Sequence, residues 1–424
     1  MRRIQFIGLL LLIGFFQPIS QAVAETTLIN FGKQSEWKYQ DNGKALPLDW
    51  VQPTFEDAKW PTGPAPLGYG DTGLNTTVRF GDDSQKKQIT TYFRRAFQIE
   101  DATKLKKLVL LIRSDDGIVV YLNGKEIIRN NLPAGQVTAE TTAIEALGRV
   151  VERIYQRFTV SADNLVSGTN VIAVEVHQAN PRSTDLFLDL VLRSYQDEIE
   201  LRPTLTPKAK PATVAYYSQH YVAPKLKIVD GYFDGGRGMQ FDAEGHARSR
   251  RELLIVDRSR DETLRKYLEF AGSDEIKELE PSKRASRLAK YIDQNMTLEK
   301  NDFFTQKAVF LMTREYGNEG VLIGDVSRIC GAGVCRHRAL LFKILADEAG
   351  LDVALVRGDY GDAQRREGHA WNELHLKDGR RILIDVMQRR FELLTPEGSE
   401  VSRRYLTVDN KPWYGKQEPS DQKP

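Results

Sequence analysis

Three segments decide the reading: Gly331-Ala332-Gly333-Val334-Cys335-Arg336-His337-Arg338-Ala339-Leu340-Leu341-Phe342-Lys343, then Gly368-His369-Ala370-Trp371-Asn372-Glu373-Leu374, then Arg381-Ile382-Leu383-Ile384-Asp385-Val386. The first is a glycine-rich turn that delivers one cysteine to the start of a helix. Apolar residues at 339, 340, 341, 344 and 345 give the helix a buried face, and Gly350 supplies its stop. A cysteine there meets unpaired N–H groups and the positive end of the helix dipole. Both favour the thiolate over a free thiol of pKa about 8.5. Gly331 and Gly333 leave room for a substrate backbone, and the Cys335 amide is a candidate oxyanion donor. Taken alone, the plainer reading of Cys335 is a small buried side chain behind a helix start.

The later segments supply what a thiol nucleophile needs: a base, and an acceptor that orients the base. Residues 351–356 read as a strand and 358–368 as a polar loop. The segments around His369 and Asp385 read as two strands of a hairpin joined through Lys377-Asp378-Gly379. Parity then decides whether His369 and Asp385 can meet. A two-residue turn pairs 372 with 385 and puts the two on opposite faces. A three-residue turn with Gly379 in the left-handed position pairs 371 with 385, and His369 lies diagonal to Asp385 on one face. A Cys335–His369–Asp385 triad therefore requires the bulged turn.

That ordered run resembles the transglutaminase-like branch of the papain-type cysteine enzymes over roughly 280–390. Leu355-Val356-Arg357-Gly358, His369-Ala370-Trp371-Asn372 and Ile384-Asp385-Val386-Met387 resemble one sub-branch more closely. It is the peptidase-like domain found beside the kinase domain of plant ethylene-response and disease-resistance Raf-like kinases. The resemblance implies an antiparallel sheet packed on the cysteine-bearing helix. It also implies thiol-based acyl chemistry on a protein or peptide, by hydrolysis or by transfer to an amine, with Cys335, His369 and Asp385 catalytic. A regulatory, non-catalytic domain is the alternative it leaves open.

Neighbouring residues have plainer readings. His337 is about 200° around the helix from Cys335 and points away. Arg338 shares the Cys335 face, either to lower the thiol pKa or as a structural ion pair. Trp371 shares the His369 face and Asn372 does not. Cys330, five residues before Cys335, is either a buried small residue or a disulfide partner that masks the nucleophile. No metal or cofactor is expected, because His337, His369 and His375 lack metal-ligand spacing.

Outward from this centre the chain divides. Residues 1–24 carry Arg2 and Arg3, an apolar run and Ala22-Val23-Ala24, the pattern of a cleaved secretory signal peptide. A periplasmic or secreted protein without a membrane span is the expectation. Residues 25–197 read as an all-β sandwich, with apolar runs such as Leu108-Val109-Leu110-Leu111-Ile112 and a hairpin turn at Asn123-Gly124. Pro66-Leu67-Gly68-Tyr69-Gly70, Asp115-Asp116-Gly117 and Tyr121-Leu122-Asn123-Gly124 resemble the galactose-binding-like jelly-roll modules appended to exported enzymes. That resemblance implies a glycan or envelope partner. Trp37, Trp50 and Trp60 are sugar-stacking candidates, with burial in the core the plainer reading.

Pro203, Pro207 and Pro211 mark an extended linker over 198–222. An α+β peptidase-like domain follows over 223–404, with helices over 262–270 and 284–296 and Ser282 as the N-cap of the second. A polar tail is expected over 405–424. The 424 residues suit two or three domains, and a net charge of +2 gives no basic excess for nucleic acid. The expectation is an exported two-domain cysteine hydrolase or acyl transferase, with a scaffold or carbohydrate-binding protein as the alternatives.

Overall fold

The structure, a computed structural model, describes residues 25–148, 151–196, 205–241, 246–296, 302–316, 320–362 and 365–415. The expected signal peptide lies outside them.

The N-terminal strands are β1 (Glu25–Ile29), β2 (Glu36–Gln40), β3 (Thr62–Pro64), β4 (Leu67–Tyr69), β5 (Thr76–Thr77), β6 (Thr90–Ile99), β7 (Lys107–Asp115), β8 (Gly117–Leu122), β9 (Lys125–Asn130), β10 (Gln156–Ser161), β11 (Gly168–His177) and β12 (Leu186–Tyr195). They form two six-stranded sheets, β10-β7-β12-β4-β5 with β1 also on β12, and β3-β2-β6-β11-β8-β9. One apolar core lies between them, with Leu108, Leu110, Ile112, Leu188 and Leu190 from the first sheet and Trp37, Phe93, Val120 and Val174 from the second. Asn123-Gly124 forms the two-residue turn joining Leu122 to Lys125, both residues at positive φ as such a turn demands. Trp37 and Trp50 are buried and Trp60 is half-buried, so two of the three tryptophans serve packing.

The unbroken apolar run on β7 has a specific cause. Leu108, Leu110 and Ile112 face the sandwich core, whereas Val109 and Leu111 join a second core belonging to the C-terminal half. Val191 and Tyr195 of β12 do the same. A strand buried on both faces loses its alternation. The junction is tied by Tyr155 N–H to the Ile329 carbonyl (3.0 Å), Tyr316 Oη to the Tyr155 carbonyl (2.9 Å) and Arg193 to Asp325 (2.9 Å).

The C-terminal half comprises α1 (Lys210–Val214), β13 (Tyr221–Val222), β14 (Tyr232–Asp234), β15 (Gln240–Phe241), β16 (Ala247–Arg248), β17 (Leu254–Val256), α2 (Glu262–Gly272), α3 (Asp274–Lys277), α4 (Pro281–Asn295), α5 (Asp302–Tyr316), β18 (Val321–Leu322), α6 (Val326–Cys330), α7 (Cys335–Glu348), β19 (Val353–Gly361), β20 (Arg366–His375), β21 (Arg381–Asp385), β22 (Arg390–Leu393) and β23 (Tyr405–Leu406). The main sheet runs β13-β19-β20-β21-β22, with β23 on β19. Helix α7 packs on β19 and β20 and is buried around nearly its whole circumference, which is why its apolar stripe is broad.

Four expectations are corrected. The described part of the 198–222 linker is folded: Pro211 sits in the first turn of α1, where a missing N–H is harmless, and Ala209, Ala212 and Tyr216 enter the second core. Helix α4 begins on Pro281 with Glu280 as its N-cap, so Ser282 lies inside the first turn. The polar stretch 358–368 is mostly strand, since Asp359 pairs with Gly368 and Gly361 with Arg366. The described part of the 405–424 tail is not peripheral, because Tyr405 and Tyr414 are buried.

Candidate active site

The hairpin register decides whether a triad can assemble. Asn372 pairs with Ile384 and His375 with Arg381, and Leu376 N–H donates to the Arg380 carbonyl at 2.8 Å. The turn thus has three residues, with Gly379 at φ +86°. This is the bulged alternative, which puts His369 and Asp385 on one face. His369 Nε2 lies 2.5 Å from Asp385 Oδ2. The other ring nitrogen, Nδ1, is left for Cys335, which lines the same cleft as His369 and whose thiol is acted on by the imidazole and the Ala370 N–H. Cys335, His369 and Asp385 are therefore brought together.

The electrostatics are those of an ion pair. Burial pushes the Cys335 thiol up, but the His369 charge, its hydrogen bond to sulfur and the Ala370 N–H outweigh that and leave the thiol below its ordinary value. Burial alone would lower His369, yet Asp385 and Cys335 raise it to about 10. Burial would raise Asp385, but His369, the Gln388 N–H at 3.0 Å and the Tyr405 hydroxyl at 2.8 Å hold it below the usual carboxylate range. Tyr360, Trp371 and Tyr405 surround the imidazole, with ring centroids 5.4, 6.1 and 6.0 Å away. This apolar wall strengthens each charge interaction within it. Cys335 is half-buried and opens to a cleft of about 730 Å³, whose wall includes Val309, Phe310, Tyr360, His369, Met387 and Arg404.

The neighbours sort by partner. His337 Nδ1 accepts the Val334 N–H at 3.0 Å and Nε2 meets Glu252 at 2.8 Å, which removes it as a base and ties down the start of α7. Arg338 donates to the Gly333 carbonyl (2.7 Å), to Asp293 (2.9 Å) and to the Met296 carbonyl, so it braces the turn before Cys335 structurally. Asn372 donates to the Ala339 and Ala354 carbonyls at 3.1 and 3.2 Å, away from the imidazole. Gly333 serves packing, since a Cβ there would lie 2.7 Å from Met296 Sδ, whereas a Cβ at Gly331 would meet open space. Cys335 is a free cysteine, so the structure does not carry the disulfide alternative; the Cys330 side chain lies outside the described residues.

Sequence reading missed Tyr405, the Ala370 N–H, and the buried Glu252 that pairs with Arg336 and His337. Tyr405 and Glu252 belong to no local motif and reach the site through strands or loops distant in sequence, whereas Ala370 adjoins His369 and contributes through a backbone group that no residue type announces. Among the described residues, Asp115, Asp116 and Glu152 of the sandwich bring three carboxylates within 4.8 Å. Asp116 accepts the Leu147 and Ala179 N–H groups at 2.7 and 2.9 Å, and Asp115 is pushed up to about 10 by burial and by Asp116.

Residues 239–392 match the family model EDR1/CTR1/ARMC3, peptidase-like. The peptidase-like segment so defined contains Cys335, His369 and Asp385 but stops short of Tyr405. Over 99 residues the chain is 35% identical to human armadillo repeat-containing protein 3, covering 22% of this chain and 10% of that protein. The chain thus spans about a tenth of that curated relative's length. Among solved structures, a β-glucuronidase from glycoside hydrolase family 2 aligns with a TM-score of 0.28 at 17% identity, over 41% of this chain and 18% of that one. An uncultured Clostridium sp. β-glucuronidase aligns with a TM-score of 0.28 at 16% identity, over 42% and 30%.

Proposed function

We propose that the chain is an exported, thiol-dependent amide or isopeptide hydrolase or acyl transferase that works through a Cys335–His369–Asp385 triad. Its peptidase-like segment belongs, on this reading, to the transglutaminase-like branch of papain-type enzymes. The observation that carries the proposal is the linkage from Asp385 through His369 to a half-buried Cys335 at the helix start, open to the 730 Å³ cleft. The Cys335 thiolate attacks the carbonyl, and the negative charge on oxygen is met by the Cys335 N–H in the first turn of α7. His369 Nδ1–H protonates the departing amine as the C–N bond breaks, while Asp385 holds the tautomer and stabilises the imidazolium. The thioester is then resolved by water, with His369 taking its proton, or by a second amine.

The sandwich is proposed as a galactose-binding-like jelly roll that docks the enzyme on a glycan, with the half-buried Trp60 and Phe55, 5.9 Å apart, as candidate stacking aromatics. Export rests on the pattern of residues 1–24.

The test is to incubate the protein with a mixed peptide and isopeptide library, quench in acid, and measure the intact mass. An acyl adduct on Cys335, absent from Cys335→Ser and released by hydroxylamine as a thioester must be, is expected, and the ratio of amide to free-acid product with a supplied primary amine separates transfer from hydrolysis. Neither adduct nor amine release, with a thiol that alkylates like free cysteine, would leave the fold as a scaffold.

A further inference from the structure

A second cavity, of about 130 Å³, also reaches Cys335, Gly368 and His369. Much of its remaining wall is arginine: Arg237, Arg251, Arg336 and Arg357. Three of these have acidic neighbours. Arg336 pairs with Glu252 and donates to the Asp234 carbonyl at 2.9 Å; Arg237 pairs with Asp359; Arg251 stands 3.8 Å from Glu252.

Arg357 differs. Its residue is 8% exposed, yet Nε and Nη1 have no hydrogen-bond partner. Nη2 meets His220 Nδ1 at 3.1 Å, and the Tyr216 and Tyr217 rings lie 4.8 and 4.6 Å from the guanidinium. Buried cationic N–H groups left unmatched are costly and ask for an acceptor. Two nearby groups do not supply it. Burial, then Arg357 and Arg237, lower the His220 pKa and keep that ring neutral. Asp234 is already engaged by the Tyr217 hydroxyl (2.6 Å), the Gly236 N–H (2.7 Å) and Arg336 (3.6 Å).

We propose that this cavity is a carboxylate subsite, so that the amide attacked by Cys335 carries a carboxylate close to its scissile carbonyl. A planar guanidinium suits that group in shape and charge. The carboxylate is an acidic side chain or a free C-terminus, two sources of one chemistry. The inference rests on the thiol-nucleophile reading above and names its substrate class.

The test compares alkylation of Cys335 by iodoacetate and by iodoacetamide in a Cys330→Ser background, each rate divided by that of N-acetylcysteine amide. The anionic reagent is expected to be favoured about tenfold or more over the reference, the preference collapsing in 1 M salt and largely lost in Arg357→Gln. The His369 charge is common to parent and variant, so the part lost with Arg357 measures the subsite. An unchanged ratio in a folded Arg357→Gln protein overturns the proposal. Should that variant not fold, Arg251→Gln at the more exposed rim is the substitute, and an unchanged ratio there together with no salt effect overturns it equally. The absolute iodoacetamide rate reports the nucleophile separately: a fast neutral reaction without anion preference sinks the subsite alone, and a rate like that of free thiol sinks the triad reading. Protection of Cys335 by a peptide acid but not by its amide supports a C-terminal carboxylate. Protection by an Asp peptide blocked at both ends supports a side chain.

Discussion

Replacing His369 by alanine removes the cation that keeps Cys335 ionised, and the consequence can be worked from the site. In the parent, the thiol titrates below its ordinary value and His369 holds its proton up to about pH 10. The thiolate–imidazolium pair therefore exists between these two titrations. Thiolate reactivity appears as pH rises through the lowered Cys335 value, and the imidazolium proton is lost as pH rises through about 10. Without the imidazolium, burial and Asp385 both push the thiol up, opposed by the Ala370 N–H alone among the groups named. A titration at or above about 8.5 leaves about 3% thiolate at pH 7 and about 0.03% at pH 5. A more basic thiolate is a better nucleophile, with a Brønsted slope of about 0.4–0.5, so part of the loss at pH 7 is returned. The position of the inflection and the rate at pH 5 are therefore the decisive readings. Iodoacetamide alkylation is followed from pH 4 to 10 in a Cys330→Ser background, with the adduct located by mass spectrometry. The inflection should rise by at least about one pH unit, equivalent to about 1.4 kcal/mol, and the pH 5 rate should fall about three- to fourfold for each unit of that rise. The same inflection in parent and variant would refute the ion pair.

Other consequences follow from particular contacts. Tyr405→Phe removes the hydroxyl that donates to Asp385 at 2.8 Å and helps hold it below the usual carboxylate range; Asp385 should titrate higher, read by NMR of the carboxylate, and turnover should fall by about 1.5–3 kcal/mol, read by kcat. Glu252→Gln removes the nearer of the two carboxylates beside the buried Arg336 and leaves Asp234, 3.6 Å away; a stability loss of about 1.5–3 kcal/mol should appear in urea denaturation, and a loss below about 1 kcal/mol would contradict the pairing. Residues 25–196 expressed alone would expose Val109, Leu111, Val191 and Tyr195, so this fragment should bind a hydrophobic dye or self-associate where the whole chain does not. Gly358→Ala would put a Cβ 2.1 Å from the Leu406 carbonyl oxygen; β23 and Tyr405 should be displaced, with turnover and melting temperature both falling.

Much of the architecture can be read from local pattern. The apolar strands, the Asn123-Gly124 turn, the helix beginning at Cys335 and the Asp378-Gly379 hairpin each follow from periodicity or turn chemistry within a few residues. The residue types for acyl chemistry are equally visible. Prolines were the misleading signal: Pro207 and Pro211 suit an extended linker and a helix start alike, and the burial of Tyr216 beside the second core distinguishes them.

What the sequence alone determined was the set of candidate residues and a choice between two hairpin registers. Tertiary packing made the choice. One face of the hairpin buries Trp371 and Leu383 with Tyr405, and the other buries Leu374 and Ile384 in the core that contains α7. A shift of one residue would exchange the two faces and separate His369 from Asp385. The partners that tune the site, Tyr405 and Glu252 among them, are separated in the chain from what they touch: 20 residues part Tyr405 from Asp385, and 85 part Glu252 from His337. Such contacts depend on how strands from distant positions close around one helix, and local periodicity carries no record of that closure.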